Sequence, residues 1–302
     1  MDEQALDFQE LGSTGNAGWW RYVLGLVMVV FFWFASSVAA YGVLLLYAVI
    51  SGLSGKENGA PGMLEGLDPL IEFAGIHTAF AVGIISLWIV VRFIHSRPFI
   101  TLITAERSLD RKRLFRAFGL YWALLTALTA VAYLLDPSDI IVAFNAREFV
   151  RFLPVVLVLT PIQVAFEELL FRGYLIQAVG LITRRRMAAA AISAAIFLLP
   201  HLGNPEMAVD SMLTAAVMAS YYFAFGFFLA VVTLRDNGLE SALGIHIAHN
   251  LFVCIVLNYE NSALKTAPLF YATKLDPTAA LAGMIVTATL FYAVAYGWRR
   301  PD

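Results

Sequence analysis

Charge is scarce in this chain. Of 302 residues only 14% are Asp, Glu, Lys or Arg, against 60% hydrophobic, and the mean hydropathy is +0.76. An ordinary soluble domain carries about 25% charged residues, so that class is excluded. Neither sign dominates, the formal net charge being −2, and nucleic acid is not an implied partner. The single cysteine, Cys254, cannot form an intrachain disulfide, and within its apolar run it reads as a packing residue. No HExxH pair is present, which removes the most specific zinc-peptidase signal. The segment 1–18 is acidic and polar and lacks the positive opening and short apolar core of a cleaved signal peptide. It is expected to remain as an acidic cytoplasmic tail.

What the chain has instead is long apolar runs. A membrane helix needs about 20 apolar residues, and eight runs of that kind lie near 22–50, 71–94, 114–135, 149–183, 187–201, 212–234, 241–258 and 278–298. The fold class expected is therefore all-α: a polytopic transmembrane helix bundle of about eight membrane helices, forming one domain over 19–302. The fifth run is the weakest, being short and ending in Pro200-His201. The Gly-rich stretch 51–68, with Pro61, reads as a flexible external loop. With the N-terminus inside, the inner segments hold 14 Lys and Arg residues, among them Arg97, Arg107, Arg113 and Arg184-Arg185-Arg186, against five outside, namely Lys56, Arg147, Arg151, Lys265 and Lys274. Basic residues are retained on the cytoplasmic side, so both termini are expected there.

Against this background three polar patterns stand out. Phe166-Glu167-Glu168-Leu169-Leu170-Phe171-Arg172 places three ionisable groups in an apolar helix, where each costs about 2.5–3.5 kcal/mol on insertion scales. On an α-helix Glu168 and Arg172 share a face and Glu167 is turned about 100° away from Glu168, so one carboxylate can be neutralised while the other faces a cavity. Taken alone, a buried ion pair that fixes helix packing is an equal reading. The second pattern, Phe197-Leu198-Leu199-Pro200-His201, ends in a histidine. The third, His246-Ile247-Ala248-His249-Asn250, puts His246 and Asn250 on one face, where they could equally bridge helices. A carboxylate, two imidazoles and a carboxamide on different helices form a set able to activate water and hold an oxyanion. Straight helices leave His201 nearer the external face than Glu167 and His246, so either a bend before His201 brings it back or the fifth helix has other boundaries.

EELLFR, FLLPH and HIAHN, in this order and placement, resemble the three motifs of the CAAX prenyl protease and bacteriocin-processing (Abi) family of intramembrane endopeptidases. The resemblance holds over about 149–258. It implies Glu167 as general base, His201 as a residue orienting the water, His246 and Asn250 as oxyanion stabilisers, and Glu168 with Arg172 as a supporting ion pair. His249 has no role in the pattern and reads as structural. The substrate implied is a membrane-associated peptide or protein, with or without a lipid group, cut near the cytoplasmic side, with membrane lipid as the other partner.

A metal-independent reaction is favoured. The alternative is zinc held by Glu167, His201 and His246, since histidine and carboxylate are also zinc ligands. Two other classes stay open: a catalytically idle peptide-binding or immunity protein, and a transporter, although no symmetry-related helix interruptions mark the latter.

Overall fold

The computed structural model describes residues 7–53, 66–209 and 211–297. The central part of the expected 51–68 loop and the last basic pair, Arg299-Arg300, lie outside the described residues. All eight apolar runs are helical. They form α1 (Trp19–Ile50), α2 (Pro69–Ile89, extended by a π-helical turn Val90–Ile94), α3 (Arg111–Leu135), α4 (Ala146–Glu167), a π-helical segment Glu168–Leu175 leading into α5 (Ile176–Gly180), then α6 (Arg186–His201), α7 (Met212–Asp236), α8 (Glu240–Ile255) and α9 (Pro277–Tyr296). Six of the helical stretches are long and apolar enough to cross a membrane, whereas α6 and α8 have 16 residues each. At about 1.5 Å per residue these two span less than the roughly 30 Å hydrocarbon core, so they end within it.

Local chemistry sets the helix ends. The Asp68 carboxylate accepts from Leu70 N ahead of Pro69, Asp110 from Arg113 N, Asn145 from Arg147 N and Glu148 N, Ser211 from Leu213 N, and Asp276 from Thr278 N and Ala279 N. These side chains satisfy the free amides of each first turn. The end of α7 is closed by Asn237 in the left-handed region at φ 56°. Small residues bring helices close together. A Cβ on Gly244 would lie 2.3 Å from the Leu114 carbonyl oxygen, and one on Gly226 would lie 2.9 Å from the Phe197 ring.

The bundle has two distinct faces. At one lie the start of α1, the end of α2, the start of α3, the 180–186 turn and the α7–α8 connection. Asn16 bonds His95 across it, Arg113 reaches Asp236, and the Arg235 guanidinium lies over Tyr296 at the end of α9. Residues from 7 onward dock there rather than trail away: Phe8 is fully buried, Gln9 Nε2 donates to the Thr183 carbonyl, and Arg97 Nη1 donates to the Leu11 carbonyl. At the other face three short strands, β1 (Ile140–Val142), β2 (Leu257–Tyr259) and β3 (Phe270–Ala272), form a sheet in the order β1-β3-β2. β1 pairs antiparallel and β2 parallel with β3. Here Arg151 bridges Asp68 at 2.5 Å and Glu148 at 2.7 Å, and its guanidinium holds the Asp68 carboxyl below the usual range.

Candidate active site

The α4 helix stops being α-helical within the Glu-Glu pair. Glu167 is the last residue of α4 and Glu168 opens the π-helical segment, a wider winding often found at functional positions. Glu168 and Arg172 are both fully buried, and Arg172 Nη1 donates to Glu168 Oε1 at 2.9 Å. The guanidinium also donates from Nη2 to the Gly226 carbonyl at 3.3 Å and lies 4.1 Å from the Phe197 ring centre. The absence of a side chain at Gly226 leaves room for this contact. Such pairing is what makes a charge tolerable at this depth.

The same Glu168 oxygen accepts a second bond, from His246 Nδ1 on α8 at 2.7 Å. The other ring nitrogen, Nε2, stands 3.6 Å from Glu167 Oε2. His246 is thus held between the two carboxylates, a position that the spacing of its own motif did not disclose. A ring whose Nδ1–H is given to Glu168 has only a lone pair at Nε2 while neutral, so it donates to another atom there only as imidazolium.

Glu167 Oε1 accepts from Gln163 Nε2 at 3.0 Å, while Glu167 Oε2 is buried and has no hydrogen-bond partner among the described residues. Gln163 connects onward to α2: its Oε1 lies 3.0 Å from His77 Nε2, and His77 Nδ1 lies 2.7 Å from the Phe73 carbonyl. A carbonyl only accepts, so His77 Nδ1 carries a proton. With the amide in this orientation Nε2 must carry one too, facing a Glu167 carboxylate across Gln163. With the amide turned over, His77 is neutral and Glu167 must be the donor. The orientation of the Gln163 amide is thus tied to which of the two groups carries a proton. Neither His77 nor Gln163 was singled out in the sequence. His77 is separated from Glu167 by more than 80 positions, and only the packing of α2 on α4 brings them together.

Glu167, His201, His246 and Asn250 all line one cavity of about 400 Å³. His201 Nδ1 donates to the Phe197 carbonyl one turn back at 2.7 Å, leaving Nε2 unprotonated in the neutral ring. The depth mismatch expected from straight helices is absent because α6 is short and His201, its last residue, stops level with the cavity. His249 also reaches the lining, with Nε2 3.0 Å from the Tyr221 hydroxyl. Cys254 is buried beside Thr160, consistent with packing. Among the described residues no three His, Cys, Asp or Glu side chains are grouped closely enough to hold a metal ion. The zinc alternative thus has no preassembled ligand set here.

Residues 149–252, the stretch holding all three motifs, match the family described as type II CAAX prenyl endopeptidase, Rce1-like. The chain is also 32% identical over 266 residues to the uncharacterised protein YyaK of Bacillus subtilis (strain 168), an alignment covering 87% of this chain and 86% of that protein. This chain belongs to the Rce1-like family. Rce1-like membership together with six long apolar helices makes it an integral, multi-pass membrane protein, a peptidase of the CAAX intramembrane type, acting on a peptide or membrane-protein substrate.

Proposed function

We propose that the cavity hydrolyses a peptide bond with a water molecule activated by Glu167. The observation that carries this reading is the free Glu167 Oε2, buried but facing a cavity that His201, His246 and Asn250 also line. A water bound to that oxygen gives it a proton as the hydroxyl attacks the scissile carbonyl carbon. Nε2 of neutral His201 accepts a hydrogen bond from the same water and orients it. The developing oxyanion takes a hydrogen bond from the Asn250 amide, and from His246 Nε2 when that ring is protonated. The proton held by Glu167 then passes to the departing amine, so that water has added across the broken C–N bond. Glu168 and Arg172 do not reach the cavity lining; they fix the ring of His246. Gln163 positions Glu167, and the His77 ring on the far side of that amide is the group that holds a proton when Glu167 does not.

The test is cleavage of a membrane-tethered peptide library by the purified protein, wild type against Glu167→Gln, with and without chelator. Loss in the variant with retention under chelator is expected. Loss under chelator as well would overturn the metal-free reading, and no cleavage by the wild type would favour a binding protein.

A further inference from the structure

We propose that the cavity carries a subsite for a positively charged side chain of the substrate, an arginine or lysine held by Glu206 against the rings of Tyr221 and Tyr222. The word substrate rests on the peptidase reading above. The subsite itself rests on how this molecule treats its buried carboxylates.

Taking a carboxylate out of water is costly unless an opposite charge meets it. Two buried glutamates of this bundle are met in that way, Glu168 by Arg172 at 2.9 Å and Glu240 by Arg113 at 3.9 Å. Glu167 and Glu206 are nearly as deep, at 7% and 6% exposed, yet neither is paired with a Lys or Arg among the described residues. These two line the cavity, and no Lys or Arg lines it with them. For Glu167 the free carboxylate suits a base. Glu206 has no such task, so its charge calls for a partner that comes from outside the chain.

The surroundings of Glu206 fit such a partner. It sits on a single 3₁₀ turn, Pro205–Met207, between α6 and α7. Its Oε2 accepts from Ala263 N at 3.0 Å, and its Oε1 accepts from Asn204 Nδ2 at 3.2 Å and from the Tyr222 hydroxyl. All three donors are neutral. They fix the carboxylate in place and leave its charge uncancelled. Tyr221 and Tyr222 meet edge to face with their centroids 5.6 Å apart, and both line the same cavity. Aromatic faces beside a carboxylate add a second attraction for a cation, and guanidinium stacks on them best.

Tyr222 also links the subsite to the chemistry. Its ring centroid lies 4.5 Å from that of His201 while its hydroxyl is bonded to Glu206. One tyrosine's length therefore separates the cation from the histidine that orients the water. An extended peptide advances about 3.3 Å per residue, which puts the basic side chain about two or three positions from the bond cleaved.

The test offers the full chain, in one detergent, a set of fluorescein-labelled apolar peptides that differ only in one residue. That residue is arginine or its neutral isostere citrulline, placed at each position in turn, and kcat/KM is compared for wild type and Glu206→Gln. At one position the wild type should favour arginine by about tenfold or more, the worth of a contact with a charged group, and in Glu206→Gln the ratio should fall to about one. A Glu206 that only ties the two connections together lowers both rates alike, and an unchanged ratio overturns the proposal. So does a wild type without preference for arginine at any position. Tyr221→Leu removes one ring and leaves the bonds of Glu206 intact, so it serves where Glu206→Gln does not fold. It should lower the ratio by about threefold, and an unchanged ratio again overturns the proposal. Binding of the same peptides to Glu167→Gln, read by fluorescence anisotropy, separates the subsite from the peptidase reading. If no peptide is cut but arginine binds about tenfold tighter than citrulline, and Glu206→Gln added to Glu167→Gln abolishes that preference, the peptidase reading falls and the subsite stands. If no peptide is cut and binding shows no preference, the subsite falls as well.

Discussion

Replacing Arg172 by Met should destabilise the protein strongly, because it leaves the fully buried Glu168 carboxylate with one partner instead of two. Breaking a buried ion pair from one side costs about 3–5 kcal/mol. Glu168 keeps its bond from His246 Nδ1, which places the expected loss near the lower end, at about 3 kcal/mol. For a chain of 302 residues that corresponds to a fall of about 5 °C in the thermal midpoint. Glu168→Gln alone should cost a similar amount, since Arg172 then keeps only the Gly226 carbonyl and the Phe197 ring. The double substitution removes both charges, and its cost should be about 2 kcal/mol less than the sum of the two single changes. The assay is thermal or denaturant unfolding in one detergent, wild type and three variants. Additive losses would refute the reasoning, because they would mean that the two side chains do not share their burial cost.

Asn250→Leu should lower kcat by about 10²–10³ with an unchanged melting point, the effect of removing one oxyanion donor; an unchanged kcat refutes that role. His77→Phe keeps a ring on Phe73, where the two now stack at 3.8 Å, but removes both nitrogens. It should lower kcat about tenfold or more, the worth of a hydrogen bond to a charged group, with KM unchanged; a KM effect alone would make His77 a packing residue. The fourth prediction concerns His95, a fully buried ring that lies 3.0 Å from the Asn16 carbonyl and beside Arg97 and Arg21. Burial pushes it down to about 4, so its neutral form contributes stability that is fully present above about 6.5 and lost as the pH falls from there through about 4. Hydrogen exchange in residues 7–16 should therefore accelerate on acidification across that window, and His95→Phe should flatten the dependence.

The helices were legible in the sequence because a membrane imposes one simple requirement, a sustained apolar run, and Glu167, Glu168 and Arg172 were conspicuous because they break it. His201, His246 and Asn250 were singled out by the motifs they sit in, and the bundle brings them to one cavity. What stayed hidden depends on contacts between distant helices. The bond from His246 to Glu168 exists because α8 packs on α4, and nothing in HIAHN distinguishes a ring aimed at a carboxylate from one aimed at a substrate. Gln163 and His77 look like isolated polar residues until α2 lies against α4. The strands are three residues each, too short for an alternating pattern to register. The winding of Glu168–Leu175 was also unreadable, since an α-helical wheel was the natural assumption for EELLFR.

That wider winding has a consequence for how the chain can change. A π-helical segment accommodates an extra residue within an otherwise continuous helix. If one residue between Gly173 and Ile176 were deleted and the segment relaxed to α-helix, everything beyond would keep nearly its present rotation relative to α4, whereas a deletion in the α-helical part ahead of Glu167 would turn it by about 100°. In the second case Ile176 and Gln177, now fully buried, would be swung out of their sockets, and the Thr101 carbonyl would lose the amide of Gln177 that binds it at 2.6 Å. Outside the π-helical segment, a change of length is therefore best tolerated in the connections at the two faces. The α-helical part that leads to the two glutamates behaves as a spacer of fixed residue count, and an insertion or deletion within it would be more damaging than most substitutions along its lipid-facing side.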